Sequence, residues 1–598
     1  MQEQKKLGLS LSGGGFRASF YHIGVLARMA ELGQLKKVEV ISTVSGGSVV
    51  GAAYYILLKT MLETHDDKDL TDQHYIDLVA DLEHAFRLSV QKNIRWRTFA
   101  NPWANIKMGS DKFSRSDQIG ILYDKFIYNR LINRDKNQHD GGLFSSIKNF
   151  FSFWLVNPIT NITQLKIYPK NSPDFHPHKD NSSRNAKVPI LVLNATCLNS
   201  GHNWAFTASN MGEIPPLDPD VNKTDRYLKV KYTDIQKPRE KGFPLGKAVA
   251  SSAGVPGAFP PLSISNLYPE GRTIQLIDGG VFDNMGIAGL QNDPEIKITH
   301  FIVSDASGQG ESSDNPANGT FSVVLGTTNL LMARVREKMI YGLKQQHEGR
   351  VAYFHLNRGM GSQAHAPIGA PEPVKDPDTT HEFDVEPEMQ HALSKIRTDL
   401  DSFSDKEIYA LELDGYLMSN KELTALGVDL GSTASGLNHD WAFQSVSLSK
   451  TSDDYQDLLT HVSVGQHKMW KLFNFGFLKS VQAFIVHLPT LAVFLGLITL
   501  LYTYVKVYLE IDIDEFLDNR SLIYLTLALL GFKAVELLAE KMIKGSAKTL
   551  RLVKFLTRIP LGIIRYLIVP ILISLPILVY LATANKFFVY QGRVKKLD

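Results

Sequence analysis

Two rhythms of apolar and polar positions organise the first sixty residues. Leu7–Ser12 is an apolar run of strand length, and Gly13-Gly14-Gly15 breaks it with a sharp turn. Over residues 18–32 apolar side chains (Ile23, Val25, Leu26, Met29, Ala30) recur at helical spacing. Val38–Thr43 predicts a second strand that runs into Ser45-Gly46-Gly47-Ser48 and a small-residue helix over 49–60. The order is strand, glycine turn, helix, strand, serine turn, helix. It places both turns at the C-terminal ends of neighbouring parallel strands, where open α/β sheets bind ligands.

Residues 61–187 lose this rhythm. They hold charged helical segments at Leu78–Ser89 and Ser116–Leu131, an aromatic stretch from Trp96 to Trp103 and a polar loop at Asn133–Asp140. In Phe144–Val156 the residues Phe144, Ile147, Phe150, Phe151, Phe153 and Trp154 share helical faces, which fits either a core face of an inserted subdomain or a lid that meets lipid. From Val188 the α/β rhythm returns. Strands are predicted at Pro189–Leu198, with Trp204–Thr207 as hairpin partner, at Thr273–Ile277, His300–Ser304 and Val351–Leu356. Helices are predicted at Gly246–Gly254, Phe321–Gln346, Met389–Leu400 and Asp405–Met418, with 357–386 as surface loop.

The pattern changes again near the end. Val481–Val505 carries no charge and is long enough to cross a bilayer; Leu561–Ala584 is a second such run, carrying only Arg565. Leu522–Leu530 is a third apolar candidate, followed by Lys533 and Glu536. A catalytic domain over 1–470, with a helical insertion at about 61–187, and a membrane region over 471–598 with two or three transmembrane helices are therefore expected. Acidic residues between Glu510 and Asp518 separate the first runs, whereas Lys541, Lys544, Lys548, Arg551, Lys554 and Arg558 precede the last. Positive charge favours the cytoplasmic side, so three crossings with the catalytic domain inside fit these loops, although Lys586, Arg593, Lys595 and Lys596 then fall outside.

Composition narrows the function. A chain of 598 residues is too long for one ordinary core, and a net charge of +3 argues against a binder that neutralises nucleic-acid phosphate. The single cysteine, Cys197, excludes an intramolecular disulfide framework and a cysteine-rich zinc site, and reads as a small apolar filler. A polar start leading straight into a strand reads as cytoplasmic, with no signal peptide.

The two turns carry the candidate chemistry. A glycine turn feeding a helix offers unpaired backbone N–H groups and the positive end of a helix dipole. The serine turn exposes Ser45 on a tight bend above the sheet, as a nucleophile elbow requires. Gly13-Gly14-Gly15-Phe16-Arg17-Ala18 also fits the dinucleotide pattern G-x-G-x-x-G/A. That reading needs an acid closing the second strand, and Glu39 stands near its start.

Leu11-Ser-Gly-Gly-Gly-Phe-Arg17, Val44-Ser-Gly-Gly-Ser48 and Ile277-Asp-Gly-Gly-Val281 together resemble the patatin-like phospholipases. Asn194-Ala-Thr196, the run Ala250 to Pro261, and Asp283-Asn284 extend the resemblance over residues 7–305 in the family's order. One departure is Thr43, where the G-x-S-x-G elbow has its first glycine. The resemblance implies an α/β fold, a patatin-like three-layer sandwich with a mainly parallel sheet. It implies a Ser–Asp dyad of Ser45 as nucleophile and Asp278 as base, acting on phospholipid or lysophospholipid at a bilayer; no metal, cofactor or nucleic acid is expected. Gly13, Gly14 and Gly15 would form the oxyanion hole, and Arg17 would orient that loop or attract an anionic headgroup. His22, nearly two turns into the first helix, reads as structural. The alternative from another class is a catalytically inactive membrane scaffold that keeps the fold.

Overall fold

The computed structural model describes residues 5–110, 113–132, 160–215, 227–235, 242–268, 271–291, 296–307, 319–361, 377–431, 437–468, 471–475, 477–508 and 569–594. They fall into two compact units, one spanning Met1–Ile94, Arg115–Met469 and Gly592–Asp598, the other Arg95–Ser114 and Trp470–Gln591.

In the first unit the opening repeat folds as its pattern dictates. Strand β1 (Leu7–Leu11) leads into helix α1 (Gly15–Glu31), and β2 (Val38–Val44) into α2 (Gly46–Thr64). Both strands are buried along their whole length, as expected of strands covered on two faces. Helix α3 (Asp72–Val90) and α4 (Arg115–Tyr123) follow, the latter continuing through a π-helical turn at Asp124–Tyr128. Then come β3 (Ile190–Cys197), β4 (Asn203–Phe206), β5 (Asn210–Glu213) and β6 (Val230–Lys231). After them come α5 (Leu245–Ser252), β7 (Leu262–Ser265), β8 (Thr273–Asp278), β9 (His300–Asp305), α6 (Thr320–Gln346), β10 (Val351–His355) and α7 (Asp405–Asp429).

The sheet runs β10-β9-β1-β2-β3-β4-β5-β6, with β8 on β3 and β7 on β8. Its centre, β10 to β3, is parallel throughout. Beyond β3 every pairing is antiparallel. Side chains of both sheet faces are buried in separate clusters: Leu9, Ile41 and Leu193 with α1 and α2, and Val40, Val192 and Val303 with Ile287, Leu290 and Leu343. Helices thus cover both faces, giving the three layers expected.

The decisive feature lies along one edge of β3. Strand β2 pairs with Ile190–Asn194 of β3 in parallel and ends at Val44 opposite Asn194. Strand β8, running the other way, pairs with Ala195–Cys197 and ends at Asp278 opposite Ala195. The other edge of β3 holds β4, so β2 and β8 share one edge and their C-terminal ends meet head to head. Parallel neighbours would have put both turns side by side; the antiparallel β8 instead brings Asp278 directly towards Ser45.

Helix α1 is held from behind by α7. A Cβ on Gly24 would lie 1.8 Å from the carbonyl oxygen of Glu412, and one on Gly415 would lie 2.0 Å from that of Tyr21, so the helices cross backbone to backbone. The sequence pattern ended α7 at Met418, but the helix continues to Asp429.

In the second unit a short helix, Pro102–Met108, accompanies Phe477–Tyr508, Val569–Ala582 and Ala584–Gln591. The Asn105 amide donates to Ser574 Oγ at 2.9 Å, and that hydroxyl donates to the Phe99 carbonyl at 3.1 Å. Among the described residues one helical stretch, Ile573–Gln591, is long and apolar enough to cross a membrane, and Val481–Leu497 is a shorter apolar one. The loop Asn133–Asp140, the run Phe144–Val156, the candidate Leu522–Leu530 and the charged stretches of 510–558 lie outside the described residues.

Filling the α1–α7 crossing should be costly. Gly415→Ala is expected to destabilise the folded protein by at least the roughly 1–3 kcal/mol typical of overpacking, because backbone cannot yield as a side-chain end can. Chemical denaturation checks this; an unchanged midpoint contradicts the contact.

Candidate active site

Ser45 joins β2 to α2 with φ 50° and ψ −115°, a left-handed conformation rare for any residue but glycine. Such strain persists only where the surroundings impose it. Here they do. A Cβ on Gly46 would lie 2.0 Å from the Gly15 carbonyl oxygen, and one on Gly47 would lie 2.2 Å from that of Leu11, so the serine turn is pressed against the glycine turn. The Ser45 N–H donates to Ser252 Oγ at 2.9 Å, Ser252 meets Ser48 Oγ at 2.8 Å, and Ser48 meets Thr43 Oγ1 at 2.9 Å. Thr43 donates to the Val192 carbonyl at 3.0 Å. One donor direction satisfies the whole chain, from the Ser45 amide through three hydroxyls to a strand carbonyl. Thr43 therefore belongs to the elbow's support, and the room its methyl needs comes from Gly51, where a Cβ would lie 2.6 Å from Thr43 Cγ2.

Asp278 is held on three sides. Its N–H donates to the Gly254 carbonyl at 3.0 Å, its carbonyl accepts from Thr196 Oγ1 at 2.8 Å, and its Oδ1 accepts from the Gly280 N–H at 2.8 Å. Oδ2 is buried and meets no partner in hydrogen-bond geometry. Burial pushes the carboxyl up to about 7, against the Gly280 N–H and the nearby Ser45 side chain, which pull it down. A carboxylate poised near neutrality beside a hydroxyl suits a general base. Asn194 pins the junction, donating to Ser42 Oγ at 2.9 Å and to the Thr43 carbonyl at 3.0 Å. Asp283 is structural, accepting the N–H groups of Met285 at 3.0 Å and Ala288 at 2.8 Å.

The glycine turn is not uniform. Gly14 and Gly15 have φ 143° and 58°, values that favour glycine, and their N–H groups meet no acceptor among the described residues. Gly13 differs: its N–H donates to the Asn284 carbonyl at 3.0 Å, so it is not available as an oxyanion donor. A Cβ on Gly13 would lie 3.1 Å from the Ser45 Cβ and 2.3 Å from Asn284 Oδ1, and one on Gly280 would lie 2.5 Å from the same oxygen. Asn284 thus sits between the glycine loop and the aspartate turn.

Arg17 is buried. Its guanidinium donates to the carbonyls of Ser394 at 2.7 Å, Ile396 at 3.0 Å and Ala306 at 3.1 Å, which ties α1 and the glycine loop to the chain behind them. A headgroup could not reach it, so of the two roles expected only loop orientation is open to it. His22 is also buried. Its Nε2 meets the Ser12 carbonyl at 3.0 Å, which can only accept, so neutral Nδ1 accepts from Ser304 Oγ at 2.8 Å. Burial lowers its pKa to about 4 and keeps the ring neutral.

Two residues escaped the sequence reading. Ser252 lay inside the run Ala250 to Pro261, yet nothing in its spacing said that it would hold both halves of the site: Oγ takes the Ser45 N–H, and its carbonyl takes the Gly279 N–H at 3.1 Å. Asp124 sits in the π-helical turn, a feature common near functional sites. Its Oδ1 accepts from the Gly246 N–H at 3.0 Å and so caps α5, whose own N-cap residue is Pro244. A Cβ on Gly246 would lie 2.0 Å from the Gly120 carbonyl oxygen, so α4 and α5 touch through glycine. No sequence signal links Asp124 to a helix more than a hundred residues on.

Residues 9–290 match the family model of the patatin-like phospholipases. The chain therefore carries a patatin-like phospholipase domain. No curated protein matches it. Among solved structures it is similar to human GIVD cytosolic phospholipase A2 in complex with methyl gamma-linolenyl fluorophosphonate, at 13% identity and a TM-score of 0.33, over 72% of this chain and 59% of that one. It is also similar to VipD from Legionella pneumophila, at 13% identity and a TM-score of 0.26, over 77% of this chain and 74% of that one. The match spans less than two thirds of the human enzyme's length.

If Asp278 serves as a base it must be ionised to accept a proton, and ester hydrolysis should then rise with pH through a limb near 7. Its folded-state pKa lies above the unfolded value of 3.8, so ionisation costs stability increasingly between about 4 and 7 and fully above 7. Asp278→Asn should therefore raise the melting temperature at pH 8 and barely change it at pH 4; equal effects at both would contradict the buried carboxyl. For the elbow, Gly51→Ala should destabilise less in a Thr43→Ser background, which keeps the hydroxyl and removes the methyl. A double-mutant cycle read by thermal unfolding measures that coupling.

Proposed function

We propose that the protein is a membrane-anchored serine acyl-ester hydrolase of phospholipid or lysophospholipid, working through a Ser45–Asp278 dyad. The observation that carries the proposal is the head-to-head ending of β2 and β8 on one edge of β3. It puts a strained serine and a buried aspartate with a raised pKa into one junction. Asp278 takes the Ser45 proton as Oγ attacks the ester carbonyl. The tetrahedral oxyanion is met by the N–H groups of Gly14 and Gly15 and by that of Gly46, the residue after the nucleophile. The carbonyl re-forms as the alcohol leaves with the proton from Asp278, giving an acyl-Ser45 ester; water activated by the same carboxylate then releases the fatty acid.

Histidine has no part in this scheme, since His22 lies neutral and fully hydrogen-bonded in the core. The apolar helix Ile573–Gln591 supports anchoring, and the basic 541–558 segment supports a catalytic domain on the cytoplasmic side.

Rates on a short-chain ester test the dyad. Ser45→Ala and Asp278→Asn should each lower kcat by at least about a thousandfold, and the double variant should be no worse than either, as members of one catalytic unit are not additive. His22→Gln should keep most activity if it folds. A folded His22→Gln protein as inactive as Ser45→Ala, beside an active Asp278→Asn, would name a different base. An inert wild type would favour the scaffold.

A further inference from the structure

Helix α6 packs on the domain by one face only. Met339, Ile340 and Leu343 join the core cluster of that face of the sheet, and Met332 reaches the catalytic turn, its Cε lying 3.1 Å from where a Gly280 Cβ would be. On the same inner side Arg336 donates to Ser307 Oγ at 2.8 Å. Among the described residues the outer side carries no such partners. Val323, Val324, Leu330 and Leu331 are 48, 57, 60 and 59% exposed, values unusual for four large aliphatic side chains within nine positions. At 100° per residue they fall, with Val335, on one arc of about 140° whose centre lies opposite Arg336. Arg334 and Lys338 are exposed on that arc and form no ion pair among the described residues. The helix holds Arg334, Arg336, Lys338 and Lys344 against one acid, Glu337.

We infer that the outer face of α6 docks onto an anionic bilayer surface and holds the Ser45–Asp278 site against it. The inference rests on the hydrolase reading and adds the surface through which that site meets lipid. Apolar side chains flanked by cations match the acyl-headgroup boundary of an anionic leaflet, where burial of aliphatic area and attraction to lipid charge act together. A protein partner would have to match the cations with acids. The bilayer supplies negative charge without shape, which suits a smooth aliphatic ridge. Contact between Met332 and the aspartate turn makes the docked helix continuous with the chemistry, so an ester lifted from the leaflet has a short path to Ser45.

The full-length protein, reconstituted into vesicles of phosphatidylcholine with phosphatidylglycerol, tests this. Tryptophan placed at Leu330 should be quenched by lipids brominated along the acyl chain, and less so when phosphatidylglycerol is left out. Leu330→Asp with Leu331→Asp should lower hydrolysis of vesicle phospholipid at least about tenfold, a loss of about 1.4 kcal/mol of productive docking, while a dissolved short-chain ester is turned over within about twofold of wild type. Unquenched tryptophan would show that another part of the chain or a second copy covers the ridge and would overturn the inference. Equal losses on both substrates, or none on either, would overturn it too. Failure of the hydrolase reading looks different: wild type would be inert on both substrates while quenching persisted.

Discussion

Everything in the site depends on how β3 shares one of its edges between two strands. A parallel strand leaves that edge at Asn194 and an antiparallel one takes it up at Ala195. Two chain ends that would otherwise stop in different places therefore face each other. The usual sheet supplies a crevice above parallel strand ends; here the crevice also receives an acid from the opposite direction. The short loop from β2 into α2 and the tight turn after β8 follow from this, because neither chain can continue forward without colliding with the other.

The polar network around the junction fixes what the sheet brings together. Ser252 holds Ser45 by its hydroxyl and the aspartate turn by its carbonyl. Behind it, Asp124 caps the helix that carries Ser252, and burial raises its carboxyl to about 7. Arg17, His22 and the α1–α7 glycine crossing hold the glycine loop from the other side. Each member is buried, so each is expensive to leave unpaired and effective in locking geometry when paired. Asp278 Oδ2 is a buried acceptor that meets no partner in hydrogen-bond geometry, as Arg17 Nε is a buried donor that meets none. An unsatisfied oxygen beside a serine hydroxyl is what a base awaiting its proton requires.

Much of this was legible in the sequence because it rests on local rules. The opening repeat, the serine elbow, the end of β8 at Asp278 and the antiparallel β4 follow from apolar runs punctuated by glycine and small residues. The structural character of His22 followed from its depth in a helix. What was not legible is long-range. That β8 runs antiparallel to β3 depends on which edge is vacant, and β5, β6 and β7 are too short to carry a period of their own. The loss of the Gly13 amide to Asn284 joins residues far apart in the chain, and no spacing foretells it. Thr43 looked like a defect in the elbow until Gly51 was seen to make room for it.

The proposed chemistry stands on Ser45 as the nucleophile at this junction. Mass spectrometry of the folded protein after reaction with a fluorophosphonate, followed by peptide mapping, tests it most directly. A single adduct is expected on the peptide containing Ser45, formed faster above pH 7 than below. An adduct on the peptide containing Ser252, on Ser48 within the Ser45 peptide, or no adduct in a folded, lipid-bound protein would contradict it.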